Sequence, residues 1–213
     1  MPSVRMPLSS LRTSARSQPS RASSAPADVR LAALALGGTA VTAFVCLLAM
    51  FAGVPGAGTL NDHLNAAIGW LALAVAVLVR RRDTSGWGDD VATVAAAAGA
   101  VLMTWGSWLV ITDTTGYVLA GLVSTLGLSA IGSWLLLVHT KNRDGTPTLG
   151  RAAGAVMATG ILALPGVLQG IDDYSGAPWH VYAAGVAWLG AYALLPAWCA
   201  RLARTRTDRK DNF

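Results

Sequence analysis

Residues 31–51 read LAALALGGTAVTAFVCLLAMF, an apolar run without a charged side chain. A transmembrane α-helix needs about 20 predominantly apolar residues to cross the hydrocarbon core of a bilayer. Five more runs of this kind follow, at 64–79, 91–111, 117–138, 152–168 and 181–199, and none contains Asp, Lys, Arg or His. The runs at 64–79 and 152–168 are short, but neutral flanks extend them, from Asn61 in one case and over 150–171 in the other. The sequence therefore predicts six membrane-spanning helices.

The composition excludes a water-soluble domain. Hydrophobic residues make up 54% of the chain and charged residues 13%, against about 25% charged in a typical soluble domain. The runs are continuously apolar, whereas the strands of a membrane barrel alternate at every second residue. We therefore expect an all-α membrane protein.

The charges predict an orientation. All 16 Lys and Arg residues lie before the first run, after the second, between the fourth and fifth, or after the sixth. The other three connections, 52–63, 112–116 and 169–180, carry Asp and His but no Lys or Arg. Lys and Arg are retained on the cytoplasmic side, so we expect three helical hairpins with both termini in the cytoplasm.

The chain divides into three parts. Residues 1–29 form a basic arm rich in Ser, Arg and Pro, and we expect it to be disordered because it has little apolar surface to bury. Residues 30–200 form the bundle, and 201–213 a basic cytoplasmic tail. We predict a multi-pass protein of the cell (inner) membrane. The alternative is an organellar membrane, if the acid-poor arm is a transit peptide.

Small residues spaced by four suggest close helix packing, or a homodimer or partner-subunit interface through helices four to six. The three stripes are Gly121, Thr125, Ser129 and Ser133; Gly150, Gly154 and Ala158; and Ala183, Ala187 and Ala191.

We expect the lipid bilayer to be the main partner and expect no nucleic-acid partner.

Pro165 and Gly166 predict a kink in helix five, because proline lacks the backbone donor and crowds the Ile161 carbonyl. Gln169 lies in the neutral extension of this run and is expected to be the principal amide within the membrane. Broken helices often border the binding sites of transporters, and simple curvature is the other interpretation.

The connections opposite the basic flanks carry the candidate ligand-binding residues, since carboxylate and imidazole can bind a metal, a proton or a cation. Each residue also has a structural explanation. Asp62 can act as N-cap of helix two, and hydration of the loop is an adequate account of Asp172 and Asp173, although they follow a helix end where a negative charge is mildly unfavourable. His63 and His180 lie at the interface, where amphipathic side chains often occur. A speculative metal site would use Asp172, Asp173 and His180. The candidate residues are Asp62, His63, Gln169, Asp172, Asp173 and His180.

We predict no cofactor. A bis-histidine haem would use His63 and His180, with Gly69 and Gly185 making room for the macrocycle. Both histidines lie at helix starts, which would leave the haem exposed. His139 is expected to be a solvated residue at the opposite end.

The sequence favours a non-enzymatic protein, because it contains no HExxH, GxSxG or Walker motif and no charge within the apolar runs. We expect a small-solute transporter or an accessory or structural subunit of a membrane complex. The alternative is a membrane enzyme or metal-handling protein with an extracytoplasmic Asp/His site.

Overall fold

The computed structural model describes residues 27–81, 87–141 and 147–204. Over these ranges the chain is helical and contains no strand. Six helices are long and apolar enough to cross a membrane, which confirms the prediction of an all-helical chain with six such helices. Most of the predicted arm and tail lies outside the described residues, although residues 27–29 belong to the first helix and 201–204 to the last.

The first four helices are regular. They are α1 (Ala27–Phe51), α2 (Ala57–Arg80), α3 (Trp87–Ile111) and α4 (Tyr117–Lys141). Most are longer than the apolar runs that predicted them, because polar flanking residues continue the helix beyond the hydrophobic stretch.

The fifth and sixth helices are interrupted. Helix α5 runs through Pro147–Ala158, a 3₁₀ segment at Thr159–Ala163, and Leu164–Leu168. Helix α6 (Trp179–Arg204) consists of Trp179–Ala184, a turn at 185–186, Ala187–Leu189, a π segment at Gly190–Leu194, and Leu195–Arg204. Both irregular stretches lie in the middle of their helices along the chain and not at the helix ends.

Each helix packs against the next one in the chain, and α6 returns to contact α1. The contacts therefore form a closed ring, with α2 lying against α3 as well as α1. Helix α4 is the most enclosed: 61% of its most apolar stretch is buried, against 33–39% for the other five helices. The side chains that fill the centre come from all six helices, and include Leu36, Ile68, Met103, Trp134, Met157 and Leu195.

The outside of the bundle is apolar. Leu31, Phe51, Leu168 and Trp179 are each more than 70% exposed. An apolar surface of this extent is unusual on a soluble monomer and suits contact with lipid chains.

The small-residue stripes lie inside the chain. Thr125 and Ser129 of α4 are buried, and Ser129 Oγ donates a hydrogen bond to the Ala158 carbonyl of α5. Gly132 of α4 and Gly154 of α5 pack backbone to backbone. Ala187 and Ala191 of α6 are fully buried. The chain itself covers most of these faces, and their use for a homodimer or partner subunit stays a prediction.

Candidate functional site

Asp172, in the connection between α5 and α6, contacts the start of α4. Its carboxylate accepts hydrogen bonds from the backbone N–H groups of Gly116 (2.7 Å) and Leu119 (3.2 Å). The first N–H groups of a helix lack partners within the helix, and the helix dipole favours a negative charge there. Asp172 thus caps α4 from a distant part of the chain, and a Cβ at position 116 would overlap its carboxylate.

Asp173 makes local contacts instead. Its carboxylate accepts hydrogen bonds from the hydroxyl and the backbone N–H of Ser175, the latter at 2.9 Å. These two bonds, the hydroxyl bond first, lower the pKa of the fully exposed Asp173 carboxyl below its ordinary value. The residue stabilises a turn that continues into Gly176, whose φ is +80°.

The two histidines of this end do not join the carboxylates. His63 is exposed, and its Nδ1 lies 2.8 Å from the Thr59 carbonyl oxygen. His180 is half-buried, with Nδ1 3.3 Å from the Leu162 carbonyl oxygen. Among the described residues no three His, Cys, Asp or Glu side chains are grouped to hold a metal ion. The metal site predicted from Asp172, Asp173 and His180 is not assembled here, since the two carboxylates bind backbone and Ser175 donors.

The geometry also argues against the haem arrangement. Gly69 packs against α3, where a Cβ would lie 2.9 Å from the Ala100 Cα, so it leaves no room for a macrocycle. His63, one of the two histidines of that arrangement, is exposed on α2.

The predicted irregularity at Pro165 and Gly166 coincides with a change of helix type. The 3₁₀ segment Thr159–Ala163 ends just before the Leu164–Leu168 turn, whose second residue is Pro165, and the Leu164 N–H donates to the Ile161 carbonyl. Gln169 lies beyond this turn and is exposed. The amide that seemed deepest in the sequence is thus at a helix end.

Asp62 lies within α2 rather than before it. The helix begins at Ala57 with Gly56 as its N-cap, so the predicted capping role of Asp62 is wrong. The side chain is half-buried.

An amide–tyrosine cluster within the bundle is formed by the buried Asn61 and Asn65 and the half-buried Tyr192. The Asn61 amide nitrogen donates to the Ala43 carbonyl at 2.7 Å and to the Tyr192 hydroxyl at 3.5 Å. The Asn65 amide nitrogen donates to the Asn61 side-chain oxygen at 2.8 Å, and the Tyr192 hydroxyl donates to the Asn65 side-chain oxygen at 3.0 Å. The cluster therefore joins α1, α2 and α6 through a ring of hydrogen bonds.

Aromatic side chains flank the cluster. The Tyr192 ring lies 5.2 Å from that of Trp188 and 5.6 Å from that of Phe44, between centroids. The Trp188 indole N–H donates to the Thr125 hydroxyl of α4 at 2.9 Å. The polar contacts thereby extend from α2 through α6 to α4.

Tyr192 occupies the π segment Gly190–Leu194. A π segment inserts an extra residue into a helix and is frequent at functional sites. Asn61 and Asn65 lie about 6 Å and about 12 Å along α2 from its first residue, at 1.5 Å per residue. The cluster is therefore within the helical bundle and not in its connections.

The sequence reasoning missed this cluster because it treated Asn61 as a flank and Gln169 as the principal intramembrane amide. One signal was available: two Asn residues four apart lie on the same face of a helix, so an amide pair in an apolar run indicates a buried polar contact. The contribution of Tyr192 depends on the packing of α6 and had no local signal. Comparisons with known protein families, with curated proteins and with solved structures find no match.

Proposed function

We propose that this multi-pass membrane protein spans the bilayer as three hairpins, with both termini in the cytoplasm. The distribution of Lys and Arg over alternate connections supports this orientation. The cell membrane is the proposed location, and an organellar membrane is the alternative.

Cysteine labelling tests the orientation. A membrane-impermeant thiol reagent added outside should modify cysteines placed at Gly58, Thr115 and Gly176, and should leave those at Ser85 and Gly145 unmodified until the membrane is opened. In intact cells, labelling should be nearly complete at the first three positions and nearly absent at the other two. Labelling of position 85 from outside in intact cells would overturn the orientation.

Within this topology we propose that the protein transports a small solute. The observation that carries the proposal is the amide–tyrosine cluster, which lies against the π segment of α6. Polar side chains are costly within a membrane and frequently mark solute or ion pathways. Interrupted helices offer backbone that can rearrange around a solute, and α5 and α6 are both interrupted.

Two other functions remain as outcomes of the test. An accessory subunit would use the cluster only to fix helix packing, and would co-purify with a partner in mild detergent. An enzyme or metal-handling protein would use the Asp/His residues outside the cluster. This last function has less support, because Asp172 and Asp173 already bind the start of α4 and Ser175.

Reconstitution tests transport. The purified protein should make liposomes permeable to at least one of three probes, glycerol, urea or methylammonium, followed by light scattering after an osmotic step. Tyr192→Phe should lower that rate about tenfold, because a passing solute would lose one hydrogen bond to the cluster, and about 1.4 kcal/mol corresponds to a tenfold change in rate. Tyr182→Phe is the matched control on the same helix, since its hydroxyl donates to the Tyr174 carbonyl at the exposed surface.

Equal rates for Tyr192→Phe and Tyr182→Phe would show that transport does not depend on the amide–tyrosine cluster. No permeability to any probe, together with co-purification of a second membrane protein, would favour the accessory subunit.

A further inference from the structure

A second buried polar contact lies at the other end of the bundle, around His139 of α4. Its side chain is 8% exposed, although the sequence suggested a solvated flank residue. The Trp198 indole N–H of α6 donates to His139 Nε2 at 2.9 Å, and the two rings meet edge to face at 5.7 Å. Gly150 of α5 lies against the imidazole so closely that a Cβ there would overlap the ring.

The direction of this hydrogen bond fixes the protonation state. An indole N–H can only donate, so His139 Nε2 must supply a lone pair and the ring must be neutral, with its proton on Nδ1. A protonated imidazole carries N–H on both nitrogens and has no acceptor. Protonation would therefore bring two donors together at 2.9 Å and break the contact.

We propose that His139 and Trp198 form a pH-sensitive latch that holds α6 against α4 while the imidazole is neutral and releases it when the imidazole is protonated. The proposal is independent of transport. Histidine suits this role because its charge changes within the physiological pH range.

The neighbouring charges oppose a charged ring. Arg151 of α5 donates from Nε to the His139 backbone carbonyl at 3.0 Å, which keeps a guanidinium close to the imidazole. Protonation would therefore add charge repulsion to the lost hydrogen bond. The other charged residues that the structure describes at this end are Asp28 and Arg30 on α1, Arg80 and Arg81 at the end of α2, Asp89 and Asp90 on α3, Lys141 on α4, and Arg201 and Arg204 on α6.

The latch is connected to the core. Trp198 is 2% exposed and also meets the ring of Trp134 edge to face at 6.0 Å. Its neighbour Cys199 packs against Gly37 of α1. Release of Trp198 would thus loosen α6 from α4 and α1 at the same end.

The stability test compares three histidine variants. The wild-type melting temperature should fall by about 2–4 °C between pH 8 and pH 5, as expected for loss of a hydrogen bond worth about 1 kcal/mol. His139→Gln keeps a hydrogen-bond acceptor but does not titrate, so this fall should disappear. His63→Gln and His180→Gln should retain the wild-type fall. An undiminished fall in His139→Gln would overturn the latch.

A measurement on the wild-type chain covers the case in which His139→Gln does not fold. With 5-fluorotryptophan incorporated, the fluorine resonance that is missing from Trp198→Phe reports on the latch. It should shift on acidification from pH 8 to pH 5, more than the resonances of the exposed Trp105 and Trp108. A resonance that stays in place over this range would overturn the proposal.

Discussion

Replacing Gly132 by alanine should lower the free energy of unfolding by about 1–3 kcal/mol, the usual cost of overfilling a packed interior. A Cβ at this position would lie 2.6 Å from the Ala158 backbone nitrogen and 2.7 Å from the Gly154 carbonyl oxygen. These atoms belong to the backbone of α5, so no side-chain rotation can relieve the clash. The two helices would have to separate. Equilibrium unfolding in mixed detergent micelles measures the change.

Gly121→Ala is the matched control. Gly121 lies on the same helix, but its Cβ would meet nothing within 4 Å. Alanine is favoured over glycine in a helix by about 0.8–1.0 kcal/mol, so this variant should be as stable as the wild type or more stable. The two glycine replacements should therefore act in opposite directions. Equal stability of the two variants would show that α4 and α5 do not approach closely at Gly132.

The apolar runs predicted the helices because bilayer-length hydrophobic segments are a local property of the sequence. They placed the starts of helices less well. Helix α2 begins at Ala57, seven residues before the run at 64–79, because Gly58, Asn61 and Asp62 are polar or small without ending the helix. Hydropathy measures how much of a helix suits lipid and not how long the helix is.

The small-residue stripes were predicted correctly as packing faces, but the sequence left open which partner they pack against. Thr125 of α4 accepts a hydrogen bond from Trp188 of α6, so a stripe that could have served a second protein is used within the chain. Such a choice depends on the order of the helices around the ring. No single helix contains that information.

Asp172 also shows that a contact between distant parts of the chain cannot be predicted from the local sequence. Asp172 follows the end of α5, where a negative charge is mildly unfavourable, and this suggested a role outside the fold. In the structure it caps α4, 53 to 56 residues earlier in the chain. The benefit comes from a helix terminus that is distant in sequence, so local reasoning assigned Asp172 to a binding site.

Replacing Asn61 tests how much the amide–tyrosine cluster stabilises the protein. Asn61→Leu removes a donor to Ala43 and Tyr192 and an acceptor for Asn65, and leaves the remaining groups buried without these partners. The expected loss in the free energy of unfolding is about 1–3 kcal/mol. His63→Leu, two residues further along α2 and exposed, places the same leucine where no buried partner is lost, and should change stability by less than about 0.5 kcal/mol.

The triple variant Asn61→Leu, Asn65→Leu, Tyr192→Phe distinguishes hydrogen bonding from general packing. A single replacement carries the desolvation cost of the unpaired partners, whereas replacing all three removes those partners as well. The loss in the triple variant should therefore be smaller than the sum of the three single losses by at least about 1 kcal/mol. Additive losses in the unfolding measurement would mean that the three side chains act independently. In that case the ring of hydrogen bonds between α2 and α6 would contribute nothing as a unit to the packing of α6, which would rest on its apolar contacts and on its hydrogen bonds to Thr125 and His139 of α4.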